Sequence, residues 1–297
     1  MTLRLGLIGL SPGNGHPYSW AAIFNGYDTH AMESCEFSVI PRYLENQTFP
    51  EDCIPGAKVT HIWTQNPVLS QKVASASLIP HVVNHYNDLI GAVDAVLLAR
   101  DDAENHLFHA TKFLQAGIPI YIDKPLALSV ANAENLLSLQ KYEGQLFSCS
   151  ALRYATELEL TQTHLNYLGE IRYIHATIPK DWNRYSIHLI DPVLKILGDT
   201  GVFKHPQVTR SEQITTLHVL HDSGVQVHIS AMGDTPVPIV FDIAGSRGIL
   251  QLRFENTFMA FRNALSEFIA GVVCKQVKTN EAQLLRAINL VEAGAFI

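Results

Sequence analysis

Charge is scarce in this sequence. Only 16% of its 297 residues are Asp, Glu, Lys or Arg, and acids outnumber bases 28 to 21. The net charge of −7 comes with no basic stripe, so there is no electrostatic footprint for nucleic acid or an anionic membrane surface. Long apolar runs are missing as well. No stretch approaches the ~18 residues of a membrane span, and the start MTLRLGLIGL runs into SPGNG too soon to read as a secretory leader. Cysteine is sparse: Cys35, Cys53, Cys149 and Cys274 stand far apart without a CxxC pair. That excludes a disulfide frame and fits a reducing, cytoplasmic compartment. Repeats and low-complexity tracts are absent. What remains is a chain that is 47% hydrophobic, the composition of a globular protein long enough for two domains.

Histidine is plentiful, at 14 residues. His81 and His85 fall in a strand-like HVVNHY run whose spacing predicts one shared face, and His218 and His221 also lie close together. No third ligand stands at a clear spacing, so no metal is expected.

Periodicity divides the chain near residue 126. Before it, Leu3–Ile8, Val59–Trp63, Val93–Ala99 and Ile118–Ile122 are short apolar runs, and Glu104–Ala116 has helical spacing closed by Gly117. Strands apolar on both faces and separated by helices predict a parallel sheet covered on both sides. After residue 126 comes a helical pattern over Val130–Tyr142. Strand patterns follow at Gln145–Leu152, Ile171–Ile178, Ile214–Leu220, Val225–Ala231, Val237–Ile243 and Ile249–Phe254, with helical stretches at 155–168, 186–197, 259–272 and 280–294. Val225, Val227 and Ile229 alternate with Gln226, His228 and Ser230, and His221–Gly224 suits a hairpin loop. The expected architecture is an α/β Rossmann-type domain over 1–126, then an α+β domain with an open, mostly antiparallel sheet over 127–297. The C-terminal helix could pack back on the first domain.

The first apolar run leads into Gly9-Leu10-Ser11-Pro12-Gly13-Asn14-Gly15-His16-Pro17. A glycine-rich turn that opens a helix lets backbone N–H groups approach a pyrophosphate. The match to G-x-G-x-x-G is poor: Ser11 holds the second position and Asn14 the third. The string also fits G-x-S-x-G, but its place after the first strand favours phosphate contact over acyl transfer. Dinucleotide folds place an acid after the second strand to hold the ribose. Here Thr64 and Gln65 stand there, which could bond a ribose and would not repel a 2′-phosphate.

The run Ile118–Ile122 ends in Asp123-Lys124-Pro125, preceded by His106 and Gly117. With Val93-Asp94-Ala95-Val96, Arg153-Tyr154, Leu168-Gly169-Glu170-Ile171, His188-Leu189-Ile190-Asp191 and Glu281-Ala282, this order resembles the Gfo/Idh/MocA oxidoreductase family, which includes glucose–fructose oxidoreductase and inositol dehydrogenase. The resemblance implies NAD or NADP on the first domain and hydride transfer at a hydroxyl-bearing carbon of a sugar, cyclitol or nucleotide-sugar. It also implies a homodimer or homotetramer assembled through the open sheet. Lys124 matches the family's lysine, with Asp123 in place of glutamate, and His188 matches its histidine. The usual Asp four residues earlier falls on Arg184.

Alcohol oxidation needs a base at the hydroxyl, and the reverse needs an acid. The expected catalytic pair is Lys124 and His188, one binding the hydroxyl and the other moving its proton. Cofactor contacts are expected from Gly9, Ser11, Gly13, Asn14, Thr64, Gln65, Ala99, Arg100, His106, Asp123 and Lys124. Substrate contacts are expected from Arg153, Tyr154, Trp182, Asn183, Arg184, Tyr185 and Asp191, with Arg184 suited to an anionic group. Two other readings of this fold stand beside the dehydrogenase: a non-catalytic dinucleotide-binding regulator, and a glycosidase-type enzyme that retains its cofactor.

Overall fold

The computed structural model describes residues 2–295. The chain forms two compact units. One gathers residues up to Leu126 with Glu134–Ser148 and Phe261–Asn280; the other gathers Ala127–Ala133, Cys149–Ala260 and the chain from Glu281 on.

In chain order the strands of the first unit are β1 (Leu3–Gly9), β2 (Ala57–Thr64), β3 (His81–Val82), β4 (Ala95–Leu98), β5 (Ile120–Ile122) and β6 (Leu146–Phe147). All pair in parallel, in the order β3-β2-β1-β4-β5-β6. β4 and β5 are buried at every position, as their apolar runs require. The first five helices are α1 (His16–Asn25), α2 (Thr29–Glu33), α3 (Val39–Leu44), α4 (Pro67–Ala76) and α5 (His106–Ala116). Pro17 sits in the first turn of α1, and Gly117 ends α5 at φ 77° in the left-handed region. The strand order reverses between β1 and β4. In a doubly wound sheet this crevice, at the carboxyl ends of the strands, is where ligands bind.

α6 (Val130–Ser138) follows, then in the second unit α7 (Gln162–Leu168), β7 (Ile171–Ile178), α8 (Trp182–Tyr185) and α9 (Ile187–Ile196). Next come β8 (Phe203–Ser211), β9 (Ile214–His221), β10 (Gln226–Ala231), β11 (Val240–Gly245) and β12 (Ile249–Arg253); α10 (Thr257–Cys274) then belongs from Phe261 on to the first unit, and α11 (Glu281–Gly294) to the second. The second sheet runs β12-β11-β7-β10-β9-β8. Its pairs are antiparallel except β7 with β10, which is parallel. One face is apolar and buried, with Ile174, Ala176, Leu217, Val227, Ile229, Phe241 and Ile243 at 0% exposure.

Four sequence readings are corrected. Gln145–Leu152 is not a strand of the second sheet. Only Leu146–Phe147 is extended, and it pairs with β5 in the first sheet. Ser150 then accepts the Leu152 N–H and starts a tight turn over Ala151–Tyr154, so Arg153 and Tyr154 lie on that turn. The unforeseen strand β8 is almost wholly exposed and polar; as an edge strand with Pro206 it has no apolar alternation to betray it. The run at HVVNHY is extended only at His81–Val82. His85 instead caps the turn Tyr86–Leu89 by accepting the Asn87 N–H, so the two histidines share no strand face. The stretch 155–168 is broken into a turn at Thr156–Leu158 and the short α7.

Candidate active site

In the first unit the expected residues gather at the carboxyl ends of β1, β4 and β5. Ser11 Oγ donates to Asp101 Oδ1 at 2.6 Å and accepts the Asp101 N–H at 3.1 Å. The other Asp101 oxygen lies 3.6 Å from Lys124 Nζ, with both side chains 5% exposed. Asp123 is held on three sides. Asn14 Nδ2 donates to it at 2.9 Å, His16 Nδ1 lies 2.5 Å away, and the Lys124 N–H donates at 2.8 Å. Asn14 Oδ1 meanwhile accepts the His16 N–H at 2.8 Å. The glycine-rich loop and the end of β5 are therefore pinned by side chains on both, with the His16 ring stacked on Trp20.

The turn after β2 serves a different role from the one expected. Gln65 lies against the loop: its Nε2 donates to Leu10 O at 2.7 Å and its Oε1 accepts the Leu10 N–H at 3.1 Å. Arg100 Nη1 donates to the same two oxygens, Leu10 O and Gln65 Oε1. The rest of its guanidinium forks onto Asp102, at 3.0 and 2.6 Å. Burial pushes the Asp102 carboxyl up, but the bonds from Arg100 and Asn105 outweigh it and hold its pKa below the usual range. Thr64 is buried, its hydroxyl engaged by Asn66 O and Ser70 Oγ. Ala99 is buried and its N–H donates to Ile8 O. His106 bridges two carbonyls, Arg100 O at 2.7 Å and Leu126 O at 3.0 Å. Thr64, Gln65, Arg100 and His106 thus shape the loop and the strand ends.

These residues fit a dinucleotide. A Cβ on Gly9 would lie 2.5 Å from Pro17 Cγ, so only glycine lets the turn close against α1. Gly13, at φ 81°, is exposed and a Cβ there would meet nothing within 4 Å, which leaves the loop backbone open to a phosphate. Asp101, Asp102 and Asp123 each have a cationic or hydrogen-bonding partner, so no bare carboxylate faces an anionic cofactor.

In the second unit Ser150 Oγ lies 2.7 Å from His188 Nδ1, and the Ser150 N–H donates to Asp191 Oδ2 at 2.7 Å. Asp191 lies 3.7 Å from Arg153, which makes a two-pronged pair with Asp199. Burial pushes the Asp191 carboxyl up to about 6 against the pull of Arg153 and the Ser150 N–H. Two expectations change here. Arg153 is not an open substrate cation, because its charge is balanced by Asp191 and Asp199. Trp182 is not a stacking surface: it is 1% exposed, donates Nε1–H to Val291 O at 2.8 Å, and packs where Gly294 leaves room. Tyr154 lies under Lys195 Nζ, 5.8 Å from the ring centre. Tyr185 accepts from Lys180 Nζ at 2.8 Å and its ring lies 5.8 Å from that of His188. The Arg184 N–H is capped by Asp181. Asn183 Oδ1 and Ser186 Oγ are buried without a hydrogen-bond partner among the described residues.

Sequence reasoning missed Asp101, His16, Ser150 and Asp199. The first sits in Ala99-Arg-Asp-Asp at the end of β4, a signal available to a reader who trusted strand ends. Ser150 and Asp199 are brought to His188 and Arg153 by turns that no periodicity announces.

Residues 40–150 match the model of the Gfo/Idh/MocA oxidoreductase family, described as an NAD-binding Rossmann fold. A search of curated proteins returns no match. Among solved structures, myo-inositol dehydrogenase from Lactobacillus casei, in complex with NAD(H) and myo-inositol, superposes with a TM-score of 0.76 at 14% identity, over 99% of this chain and 94% of that one. Myo-inositol 2-dehydrogenase from Lactobacillus plantarum gives 0.71 at 13%, covering 98% and 96%. UDP-N-acetylglucosamine 3-dehydrogenase from Acidithiobacillus ferrooxidans gives 0.70 at 15%, covering 98% and 96%. The fold read from the motifs is the fold of these proteins.

Proposed function

We propose that this chain, built on the Gfo/Idh/MocA oxidoreductase fold, is an NAD(P)-dependent dehydrogenase or reductase. It acts on a hydroxyl-bearing carbon of a sugar, cyclitol or nucleotide-sugar, the last two being classes named for structures it resembles. The observation that carries this reading is the buried Lys124–Asp101 pair at the carboxyl end of β5, beside the glycine loop of a sheet that reverses its order there. A bound dinucleotide supplies the hydride acceptor or donor. Gly9, Gly13 and the N-terminus of α1 hold its phosphates, and Ser11, Asn14, Arg100 and Gln65 keep that loop in shape.

Lys124 and His188 act on the substrate hydroxyl, one hydrogen-bonding its oxygen and the other taking or giving the proton. Asp101 orients the Lys124 ammonium, and Ser150 orients the imidazole through Nδ1. Asp191 supports the Ser150 backbone, and Arg184 serves a carboxylate or phosphate on the substrate. With no acid after β2, NADP is tolerated or preferred over NAD; equal or tighter NAD binding in a titration counts against the preference. The working form is a cytoplasmic homodimer or homotetramer. No helix of the described residues is long and apolar enough to cross a membrane.

Lys124→Ala and His188→Ala test the assignment. Each should lower turnover by at least a hundredfold on a panel of cyclitols, sugars and nucleotide-sugars, while dinucleotide binding, followed by fluorescence, survives. Near wild-type rates in both variants sink it. Unchanged dinucleotide binding with no turnover of any panel member by the wild type favours the regulatory reading.

A further inference from the structure

The amino end of the first sheet, opposite the glycine-rich loop, holds a second cavity. Its volume is about 380 Å³, and it lies where the chain from Pro50 to Lys58 enters β2 and meets Arg262 of α10, all within the first unit. That size falls in the ~300–1,000 Å³ range usual for small-molecule sites. β1 separates the cavity from the loop. Its 7 residues, Leu3–Gly9, rise about 3.3 Å each and put roughly 20 Å between the two ends. A dinucleotide seated on the loop leaves this cavity to another ligand.

Two cations line it. Lys58 Nζ donates to Phe24 O at 2.9 Å, and Arg262 Nε donates to Asp52 O at 2.9 Å. Each charged head is therefore fixed by a main-chain carbonyl. Neither forms an ion pair among the described residues, and Asp52 turns its carboxylate to the Thr48 N–H instead. Two ammonium hydrogens of Lys58 and both Nη groups of Arg262 stay uncommitted among the described residues. Both cations also act on one thiol. Burial pushes Cys53, 9% exposed on the cavity wall, up, while Lys58 and Arg262 pull its pKa down. Two anchored cations without a carboxylate stand out in a chain whose net charge is −7.

We propose that this cavity binds a small hydroxylated phosphomonoester, of the sugar-phosphate or polyol-phosphate class. The dianionic phosphate takes the Arg262 fork and the Lys58 ammonium, a planar pair of donors and a point charge. Carbonyl bonds already hold both heads, so little side-chain freedom is lost on binding. Glu51, exposed on the cavity wall, repels a second anionic group and accepts from a hydroxyl. One phosphate on a polyol body therefore suits the walls better than a dicarboxylate or a diphosphate. Ile54 and Pro55 face the carbon skeleton. Gly56, at φ 79°, has nothing within 4 Å of where a Cβ would stand, which keeps the cavity open. Lys58 belongs to β2 and Arg262 to the returning segment Phe261–Asn280. A ligand held by both clamps that segment to the sheet and stabilises the unit by mass action. The site does not depend on the redox chemistry.

Cys53 reports occupancy at the site itself. In a Cys35→Ser/Cys274→Ser background, which removes the more accessible thiols, maleimide labelling of Cys53 is followed by mass spectrometry. The probes are glucose 6-phosphate, glucose, succinate and inorganic phosphate. Millimolar glucose 6-phosphate should slow labelling about fivefold or more, by covering the thiol and by neutralising the cations that favour the thiolate. Glucose should have no effect. Lys58→Gln and Arg262→Gln should each raise the concentration for half-protection about tenfold. Arg262→Lys, which keeps the charge without the fork, should fall between wild type and Arg262→Gln. Lys124→Ala should leave protection intact, which separates this cavity from the site at the other end of the sheet. No protection by glucose 6-phosphate overturns the proposal. So does equal protection in the Lys58→Gln/Arg262→Gln double variant, or loss of protection in Lys124→Ala. Succinate protecting better than glucose 6-phosphate overturns the ligand class. Inorganic phosphate protecting as well as the sugar phosphate shows an adventitious ion only and refutes the proposal too.

Discussion

Replacing Asp191 by asparagine tests whether burial or the neighbouring charges govern the second unit's polar cluster. The Asp191 side chain is 11% exposed beside Arg153, which is itself paired to Asp199, and its carboxyl is pushed up to about 6, chiefly by burial. The unfolded chain releases that proton near the ordinary value of about 3.9. Between these two values the folded protein holds a proton that the unfolded chain has lost, so stability falls as pH rises. The contribution is fully present below about pH 4 and gone above about pH 6. A difference of about two pH units corresponds to roughly 3 kcal/mol. The amide introduced by Asp191→Asn cannot titrate and still accepts the Ser150 N–H through its oxygen, while Arg153 keeps Asp199. Urea unfolding of both proteins at pH 4.5, 5.5, 6.5 and 7.5 isolates the effect. The wild type should lose about 2 kcal/mol relative to Asp191→Asn across that series. A flat difference, or one that grows in favour of the wild type with rising pH, would mean that Arg153 dominates and that Asp191 is an ordinary ion-paired carboxylate.

Other expectations follow from close contacts. A Cβ on Gly294 would lie 2.2 Å from the Trp182 ring, so Gly294→Ala should cost about 3 kcal/mol in chemical denaturation. The Gly294→Ala/Trp182→Phe pair should cost less than the sum of its parts by about 1 kcal/mol. Gly9→Ala drives a methyl into Pro17 and should raise the dinucleotide Kd more than tenfold in a fluorescence titration, with the second unit's melting unchanged. Arg153→Lys loses the fork onto Asp199; a drop of about 2 kcal/mol is expected from charge-assisted bonds of this kind, and a neutral result would show that a point charge suffices.

Much of the fold was legible because it rests on apolar patterning. β4 and β5, and β1 from Leu5 on, are buried on both faces and appear as continuous runs, while β10 shows its single buried face by alternation. β8 was not legible, because an exposed edge strand has no buried face to write into the sequence. Leu146–Phe147 misled for the opposite reason: a short apolar run does not say which sheet will bury it. The candidate site was readable where a motif sits at a strand end, as at Asp123-Lys124-Pro125. Its partners were not. Gln65 was read as a ribose contact from its position after β2, but its amide matches the Leu10 backbone donor and acceptor so well that it serves the loop. Trp182 and Arg153 were read as ligand-facing from residue type, and both turn out to be engaged within their own unit.

The interleaving of the two units has a consequence for how the protein is made. The unit that contains β1 also needs Phe261–Asn280, and the other unit reclaims the chain from Glu281 on. A nascent chain therefore cannot complete its first unit when residue 126 leaves the ribosome. It must wait until the whole of the second sheet has been synthesised, with the strand edges and apolar side chains of the early segment exposed to chaperones in the meantime. The same threading makes both units sensitive to truncation from the C-terminus: a stop codon ahead of Phe261 deprives each of them of a segment, so premature termination late in the message should yield degraded chains and no surviving half.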